Sequence, residues 1–409
     1  MSGAGLLHDR APQIAARLVL ALIAVALGCI AVMHSLAMVV QKRSLREAHA
    51  LAPGNGLITG ELSSELSGPK ATGQGRVQAD RLARLALRQD PTAIDAGAAL
   101  GLNAQIRGNT QLARRLFAYV QALSRRDLPT QLWAIGDAIE RNDLSAALTH
   151  YDIALRTSPD ASSLLFPPLA MGTADPTIRA ALARTLARQP AWANDFMGYV
   201  ITNDTDPEAA ASLFQMISHL HGTVPDQYSA GVINALIRAG KIDQAWAYYA
   251  SLHPGASRRV SRDPTFESHT QAPSEFDWVP IGDGNISASI QPDGRHGGAL
   301  IFAAPPSIGG LVARQIELLP SGDYILEGRS EGIDQSDDAK PYWSLSCNGG
   351  SELGRVDVPN SSVANGRFGG HITVPADCPV QVLALNIRPS SNVSGVTGQI
   401  DRALLRPVR

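Results

Sequence analysis

The chain has 409 residues and a formal net charge of -2, so it is longer than one ordinary domain and is close to electrically neutral. A general nucleic-acid-binding role would need a local basic patch, and the sequence contains no such run. The composition also changes along the chain: alanine, leucine and arginine dominate up to about residue 255, and glycine, serine, valine and isoleucine dominate after it.

The N-terminal region contains a long apolar run. Residues 18–40 are 23 positions without a charged side chain, which at 1.5 Å per residue is long enough for a hydrocarbon core of about 30 Å. A cleaved signal peptide has a shorter apolar core, and Cys29 does not lie in a regular lipoprotein cleavage box. The run therefore predicts a retained transmembrane helix at 18–40, a short cytoplasmic tail at 1–17, and Cys29 and His34 as side chains without a functional role.

The charges that flank this helix favour a cytoplasmic C-terminal part. Two basic residues, Arg10 and Arg17, precede the helix, and three follow it: Lys42, Arg43 and Arg46. Because basic residues are enriched on the cytoplasmic side, the count argues for placing the long C-terminal part in the cytoplasm.

The cysteines favour the opposite orientation. Cys347 and Cys378 are the only cysteines outside the apolar run, and both lie in the strand-rich part of the sequence. A structural disulfide in an oxidising compartment explains such a pair better than two unrelated thiols. We therefore expect a single-pass protein of the inner (cytoplasmic) membrane with most of its chain in the periplasm, and the cytoplasmic orientation stays open as the alternative.

Residues 41–74 contain many glycines and prolines, among them Pro53, Gly54, Gly56, Gly60 and Pro69. Few apolar positions recur there at a regular spacing. This composition predicts a flexible tether between the membrane and the first folded domain.

A helical repeat follows the predicted tether. Pro91 and Pro159 lie 68 residues apart, which is twice 34. Three segments align at this period in positions i, i+4 and i+7, with a large aromatic residue in the middle position of the second and third: Ala79, Ala83 and Ala86; Ala113, Phe117 and Val120; Ala147, Tyr151 and Ala154. This spacing marks one face of a helix. A helix pair with such a face must stack on further copies, which predicts a solenoid.

These residues resemble the tetratricopeptide repeat family. The similarity is greatest from Asn142 through Ala154 to Pro159, and Gly240, Ala245 and Tyr249 repeat the pattern downstream. Residues 163–225 fit the template poorly, although 178–186 and 209–220 are helical in pattern. The resemblance implies an all-α repeat domain at 75–254 that binds a protein partner on its surface.

The C-terminal part has the period-2 pattern of strands. After a linker predicted at 255–274, ten candidate strands separated by glycine, asparagine, aspartate and proline turns occupy 275–409. This spacing predicts an antiparallel β-sandwich. The run 319–326 (LPSGDYIL) and the closing strand at 399–405 resemble parts of galactose-binding-like jelly rolls and carbohydrate-binding modules. The fold class is therefore multidomain α plus β.

Three aromatic residues of this domain are candidate ligand-binding residues. Trp278, Tyr342 and Trp343 could form a platform on which a sugar ring stacks. The alternative is that some of these rings belong to the core, because neighbouring strand residues point to opposite faces. Both interpretations stay open at this level.

Cys347 and Cys378 are separated by 31 residues and are predicted to form a structural disulfide. Two oxygen-rich stretches have spacings that a calcium ion could use, but ordinary turns explain them more simply: Asp283 with Asn285, and Asp334 with Asp337 and Asp338. His219 and His221 are two apart and point to opposite sides of a helix. The sequence thus supports no catalytic, cofactor-binding or metal-binding residue and no enzymatic activity.

The functional hypothesis is a membrane-anchored periplasmic interaction scaffold, with a possible role in assembly or export of envelope polysaccharide. Its expected partners are a protein on the solenoid surface, the membrane through 18–40, and a polysaccharide, with no nucleic acid. Two alternatives are a carbohydrate-binding protein whose solenoid is a spacer, and an enzyme with a polar cleft between its domains.

Overall fold

The computed structural model describes residues 11–203, 206–268, 272–292 and 297–408. Its contacts divide the chain into two units, Met1–Pro167 and Pro168–Arg409. The division lies inside the predicted repeat domain, so the second unit contains both helices and the β-sheets. The predicted fold class is confirmed: helices are followed by two antiparallel five-stranded sheets.

The first unit contains eight complete helices within the described residues, and a ninth spans the boundary. They are α1 (Ala11–Val40), α2 (Leu45–Leu51), α3 (Gly56–Leu66), α4 (Gly73–Gln89), α5 (Ile94–Ile106), α6 (Thr110–Leu123), α7 (Leu128–Glu140), α8 (Leu144–Thr157) and, across the boundary, α9 (Ala161–Gly172).

The first helix contains the predicted membrane segment. Its portion Ala16–Val40 is long and apolar enough to cross a membrane, and residues 16–36 are exposed along their whole length. Helix α1 begins at Ala11, so residues 11–17 of the predicted tail are helical, and residues 1–10 lie outside the described part of the chain.

The predicted flexible tether at 41–74 is wrong in its central part, because α2 and α3 form there. Ala48 and Ile58 are buried in a cluster with Ala37 from the last turns of α1. The glycines permit close contact: a Cβ on Gly56 would lie 2.6 Å from Cβ of Asp90, and one on Gly60 would lie 3.4 Å from the backbone nitrogen of Ala96. Glycine-rich composition here reflects packing of α3 against the α4–α5 region.

The repeat positions behave as the sequence predicts. All nine aligned residues are buried, from Ala79 to Ala154. Helices α5 and α6 pair, as do α7 and α8. Asn109 and Asp143, which lie 34 residues apart, cap α6 and α8 by accepting backbone N–H groups of Leu112 and Ala146. The helical hairpins therefore have the architecture that the resemblance implied.

In its described residues the second unit contains five further helices before its strands: α10 (Pro176–Leu186), α11 (Ala193–Thr202), α12 (Pro207–His219), α13 (Asp226–Arg238) and α14 (Ile242–Leu252). The ten strands are β1 (Val279–Pro280), β2 (Ser287–Pro292), β3 (Gly298–Ala304), β4 (Gly310–Glu317), β5 (Gly322–Glu331), β6 (Tyr342–Cys347), β7 (Glu352–Asp357), β8 (Arg367–Val374), β9 (Gln381–Ile387) and β10 (Val396–Pro407).

The strands form a sandwich of two sheets. Sheet A has the order β1-β4-β9-β6-β7, and sheet B has the order β2-β3-β10-β5-β8. Alternate residues of both sheets meet in one apolar core that includes Leu300, Leu326, Trp343, Leu385 and Leu405. Cys347 at the end of β6 is disulfide-bonded to Cys378, which lies before the adjacent strand β9. The predicted disulfide is therefore present.

The predicted linker at 255–274 is partly wrong, because it packs into the second unit. Arg262 is buried, and its guanidinium donates to Glu317 Oε2 at 2.9 Å and to the carbonyl oxygen of Phe276. Its Cζ lies 5.4 Å from the ring centroid of Trp246 in α14. The Tyr249 hydroxyl also donates to Asp277 at 2.9 Å. These contacts join α14 to the sandwich directly.

Candidate functional site

The three candidate aromatic residues of the sandwich do not form an exposed platform. Trp278 and Trp343 have only 3% and 0% of their surface exposed, and their ring centroids lie 5.4 Å apart in the core. Trp278 donates its indole N–H to the carbonyl oxygen of Asp263 at 2.9 Å. The candidate role of these two tryptophans in ligand binding is therefore corrected: strand alternation and the buried segment around Phe266 place both rings inside.

Tyr342 points to the opposite, outer face of sheet A and is half-buried. The guanidinium carbons of Arg355 and Arg388 lie 4.1 and 4.3 Å from its ring centroid. Arg355 pairs with Ser344 on the C-terminal side of Tyr342, whereas Arg388 donates to the carbonyl oxygen of Lys340 on its N-terminal side. The ring thus lies between two cations, and a sugar could stack on it only by displacing one of them.

Small and polar side chains surround Tyr342 on this face. In the register of the sheet, Arg314 of β4, Ala384 of β9, Ser344 of β6 and Arg355 of β7 form one transverse row. In the neighbouring row, Asn386 lies opposite Tyr342 and donates its amide to Ser344 Oγ at 3.0 Å. This face presents hydroxyl, amide and guanidinium groups beside the small side chains of Ala384 and Ser344. Such a surface suits a polar ligand.

The candidate calcium ligands serve local turns. Asp283 Oδ1 accepts the backbone N–H groups of Asn285 and Ile286 at 2.9 and 2.8 Å. These hydrogen bonds hold the pKa of this carboxyl below its ordinary value. In the second stretch, Asp337 pairs with Lys340 at 2.5 Å, and Asp334 accepts from the side-chain amide of Asn360 at 3.4 Å.

No other feature of the described residues indicates a metal site. His219 and His221 lie at the C-terminal end of α12, where both are exposed. Among the residues that the structure describes, no three histidine, cysteine or acidic side chains are grouped so that they could hold a metal ion.

The helices of the second unit enclose an apolar groove that the sequence did not reveal. It has a volume of about 260 Å³, and its lining residues are Val200, Ile201, Pro207, Ala210, Val232, Ala235, Arg238 and Ala239. Two glycines bring α11 and α13 together below it. A Cβ on Gly231 would lie 2.6 Å from Ile201, and one on Gly198 would lie 3.4 Å from Tyr228. A groove of this kind can accept an apolar side chain of a partner.

Comparison with known proteins returned similar structures only. No protein-family model and no curated protein matches the sequence. Over the C-terminal region the chain is similar to the carbohydrate-binding module TmCBM61, solved in complex with β-1,4-galactotriose, with 18% identity, 37% of this chain and 100% of that chain covered, and a TM-score of 0.28.

The helical region is similar to two solved structures, PilW and pilF. For PilW, a type IV pilus biogenesis factor, identity is 17% and the TM-score is 0.25; for pilF of Pseudomonas aeruginosa the values are 18% and 0.24. Each match covers 48% of this chain and 93% of the other. At these scores the likenesses do not assign an activity or a ligand to this chain.

Proposed function

We propose that this protein is a single-pass inner-membrane protein that acts as an interaction scaffold in the periplasm. Its helices bind a protein partner, and its sandwich binds an envelope polysaccharide during assembly or export. The observation that carries the proposal is the apolar groove on α11–α13, because it is open to solvent beside helices that are already packed against each other. The expected occupant is an apolar side chain of a protein segment.

The disulfide supports the periplasmic location in this proposal. A bond between Cys347 and Cys378 would be reduced in most cytosols and persists where the surroundings are oxidising. In intact cells, a thiol reagent that cannot cross the inner membrane should label these cysteines only after reduction. Free thiols that react only after lysis would place the sandwich in the cytoplasm and contradict the proposal.

Binding of a protein partner can be tested at the groove. A photoreactive amino acid at Ala235, which lines the groove, should cross-link one specific protein in intact cells, whereas the same group at exposed Ala247 of α14 should not. Ala235→Glu should lower recovery of that protein at least tenfold, because it places a charge in an apolar site. Ala247→Glu is the matched control. Equal recovery with both variants would refute the groove as the binding site.

A non-enzymatic role is part of the proposal. Burial raises the pKa of Glu317, but this carboxyl has no exposed surface and accepts a hydrogen bond from Arg262, so a substrate cannot reach it. The candidate aromatic residues are either in the core, as Trp278 and Trp343 are, or between two arginines, as Tyr342 is. Binding rather than turnover is the role that these surroundings support.

The alternative function is glycan binding by the sandwich with the helices as a spacer. The polar row around Ser344 and Asn386 favours it. If Ala235→Glu leaves cellular function intact while Asn386→Ala abolishes retention on a polysaccharide column, the alternative replaces the scaffold. Loss of cellular function with Ala235→Glu and unchanged column retention with Asn386→Ala would support the scaffold.

A further inference from the structure

The outer face of sheet B carries three arginines side by side. Arg402 of β10 pairs in register with Arg329 of β5, and Arg329 pairs with Arg367 of β8. All three side chains are exposed. Neighbouring strands lie about 4.8 Å apart, so the three Cα atoms span about 10 Å. The three residues are 35 to 73 positions apart in the sequence. They therefore form no basic run that would indicate this row.

Such a row is unfavourable in isolation. Like charges directly opposite each other on adjacent strands destabilise a sheet. Arg329 has an acidic neighbour, Asp401, at 3.8 Å. For Arg402 and Arg367 the described part of the chain provides no carboxylate within 4 Å. The repulsion within the row would be relieved by an anionic ligand that receives hydrogen bonds from several guanidinium groups.

Basic side chains continue the same face along the strands. Two transverse rows further, about 13 Å from Arg329 at 3.3 Å per residue, Arg406 and His371 flank Ile325. With Arg259 they line an open groove of about 740 Å³. Glu327, between the two rows, is already bound by Arg406 through two hydrogen bonds of 3.1 Å.

The position between the rows is also accessible. Glu327 has Gly369 as its register partner on β8, so no side chain rises there on that strand. The face therefore carries two rows of basic side chains, and on β8 no side chain stands between them. Of the ten basic residues in the chain from residue 276 onward, four lie on this face: Arg329, Arg367, Arg402 and Arg406.

We infer that this face binds an acidic polysaccharide, with Arg402, Arg329 and Arg367 holding carboxylates of uronic acid residues. Arginine suits this ligand because its planar fork matches a carboxylate with two parallel hydrogen bonds. Among the described residues, this face offers no phenylalanine, tyrosine or tryptophan ring on which a nucleic-acid base could stack, which is the usual platform for single strands. The inference rests on the proposed function in one respect, since polysaccharides are encountered outside the cytoplasm.

The test uses the purified full chain in detergent and measures direct binding. The probes are a hexamer of galacturonic acid, the same hexamer with its carboxylates methyl-esterified, and a single-stranded DNA of twenty nucleotides. The acidic hexamer should bind and lose affinity with added salt, whereas the ester should bind at least tenfold more weakly. Absence of acidic hexamer binding, or tighter binding of DNA, would overturn the inference.

The variant Arg367→Gln/Arg402→Gln should lower affinity for the acidic hexamer at least tenfold. Its melting temperature should stay the same or rise, because two repulsive charges leave the row. The control Arg81→Gln/Arg84→Gln removes the same net charge from exposed positions of α4 and should bind as the parent does. Equal loss in both variants would show a nonspecific charge effect and refute the site. These binding measurements need no protein partner. Hexamer binding can therefore be absent while the cross-link at the groove is found, and the cross-link can be absent while the hexamer binds.

Discussion

At the scale of single residues, Arg262 and Glu317 form a buried hydrogen-bonded pair inside the second unit. Glu317 has no exposed surface, its Oε2 accepts from Arg262, and its Oε1 has no hydrogen-bond partner among the described residues. Burial raises the pKa of Glu317 to about 7, and the Arg262 guanidinium opposes this increase. The carboxyl group is thus neutral over a pH range in which it would be ionised in the unfolded chain.

This difference makes stability depend on pH. Unfolded, Glu317 loses its proton near its ordinary value of 4.5; folded, it keeps the proton until about pH 7. Between these values the folded state binds more protons, so the contribution of Glu317 to stability falls as pH rises. We expect the parent protein to lose up to about 3 kcal/mol of unfolding free energy through this group between pH 4.5 and 7.

Glu317→Gln should remove this part of the dependence, because glutamine keeps an acceptor for Arg262 but does not titrate. Urea unfolding followed by tryptophan fluorescence at pH 5 and pH 8 measures it. Parallel pH profiles for the parent and the variant would contradict the raised pKa.

At the scale of elements, two helical glycines have opposite roles. A Cβ on Gly101 in α5 would lie 2.9 Å from the Phe117 ring, and Phe117 cannot retreat because it stacks on Trp133 at 4.3 Å. A Cβ on Gly136 in α7 would meet nothing within 4 Å. Gly101→Ala should therefore destabilise the first unit by about 1 to 2 kcal/mol.

Gly136→Ala is the matched control and should stabilise the same unit by about 0.5 to 1 kcal/mol, because alanine loses less backbone entropy than glycine in a helix. Thermal unfolding followed by circular dichroism compares the two variants. Stabilisation by both substitutions would show that α5 and α6 are less closely packed than the distances indicate.

The disulfide connects the end of β6 to the chain before β9 and closes a loop with a sequence separation of 31 residues. The double variant Cys347→Ser/Cys378→Ser should lower the free energy of unfolding by about 3 to 4 kcal/mol, because the unfolded chain regains the entropy that the loop removes. Reductant should lower the melting temperature of the parent protein toward that of the variant and leave the variant unchanged. Sensitivity of the variant to reductant would contradict this account.

At the scale of the whole molecule, the apolar helix α1 continues into the folded part of the first unit. Ala37 of α1 is buried against Ala48 and Ile58, and the Gln41 amide donates to Glu61 at 2.5 Å. Helices α2 and α3 therefore depend on the end of α1 for part of their burial, and the apolar run has a packing role in addition to its length.

Deletion of residues 1–40 should expose this apolar cluster and speed amide hydrogen exchange in residues 45–66 at least tenfold, while α5 and α6 keep their protection. Deletion of residues 1–30 is the control, because it leaves Ala37 in place. Both proteins are measured in the same detergent. Equal exchange in the two deletions would show that α2 and α3 are stable without α1.

Much of the fold follows from local pattern in the sequence. The 34-residue recurrence from Ala79 to Ala154 predicts the buried face of paired helices, and period-2 alternation locates all ten strands between Val279 and Pro407. Such patterns are readable because each helix or strand must bury one face of its own. The candidate site was less predictable: alternation at Tyr342 and Trp343 showed that the two rings diverge, but not which of them is buried.

Spacing within short stretches of the chain is enough to predict the apolar segment at 18–40, the helical repeat, the strand-rich C-terminal part and the cysteine pair. Three features became visible in the folded arrangement alone: the roles of Gly56 and Gly60, the burial of Trp278, and the arginine row of Arg402, Arg329 and Arg367. These depend on neighbours that are distant in sequence and adjacent in space, and no local period records which strands or helices will meet.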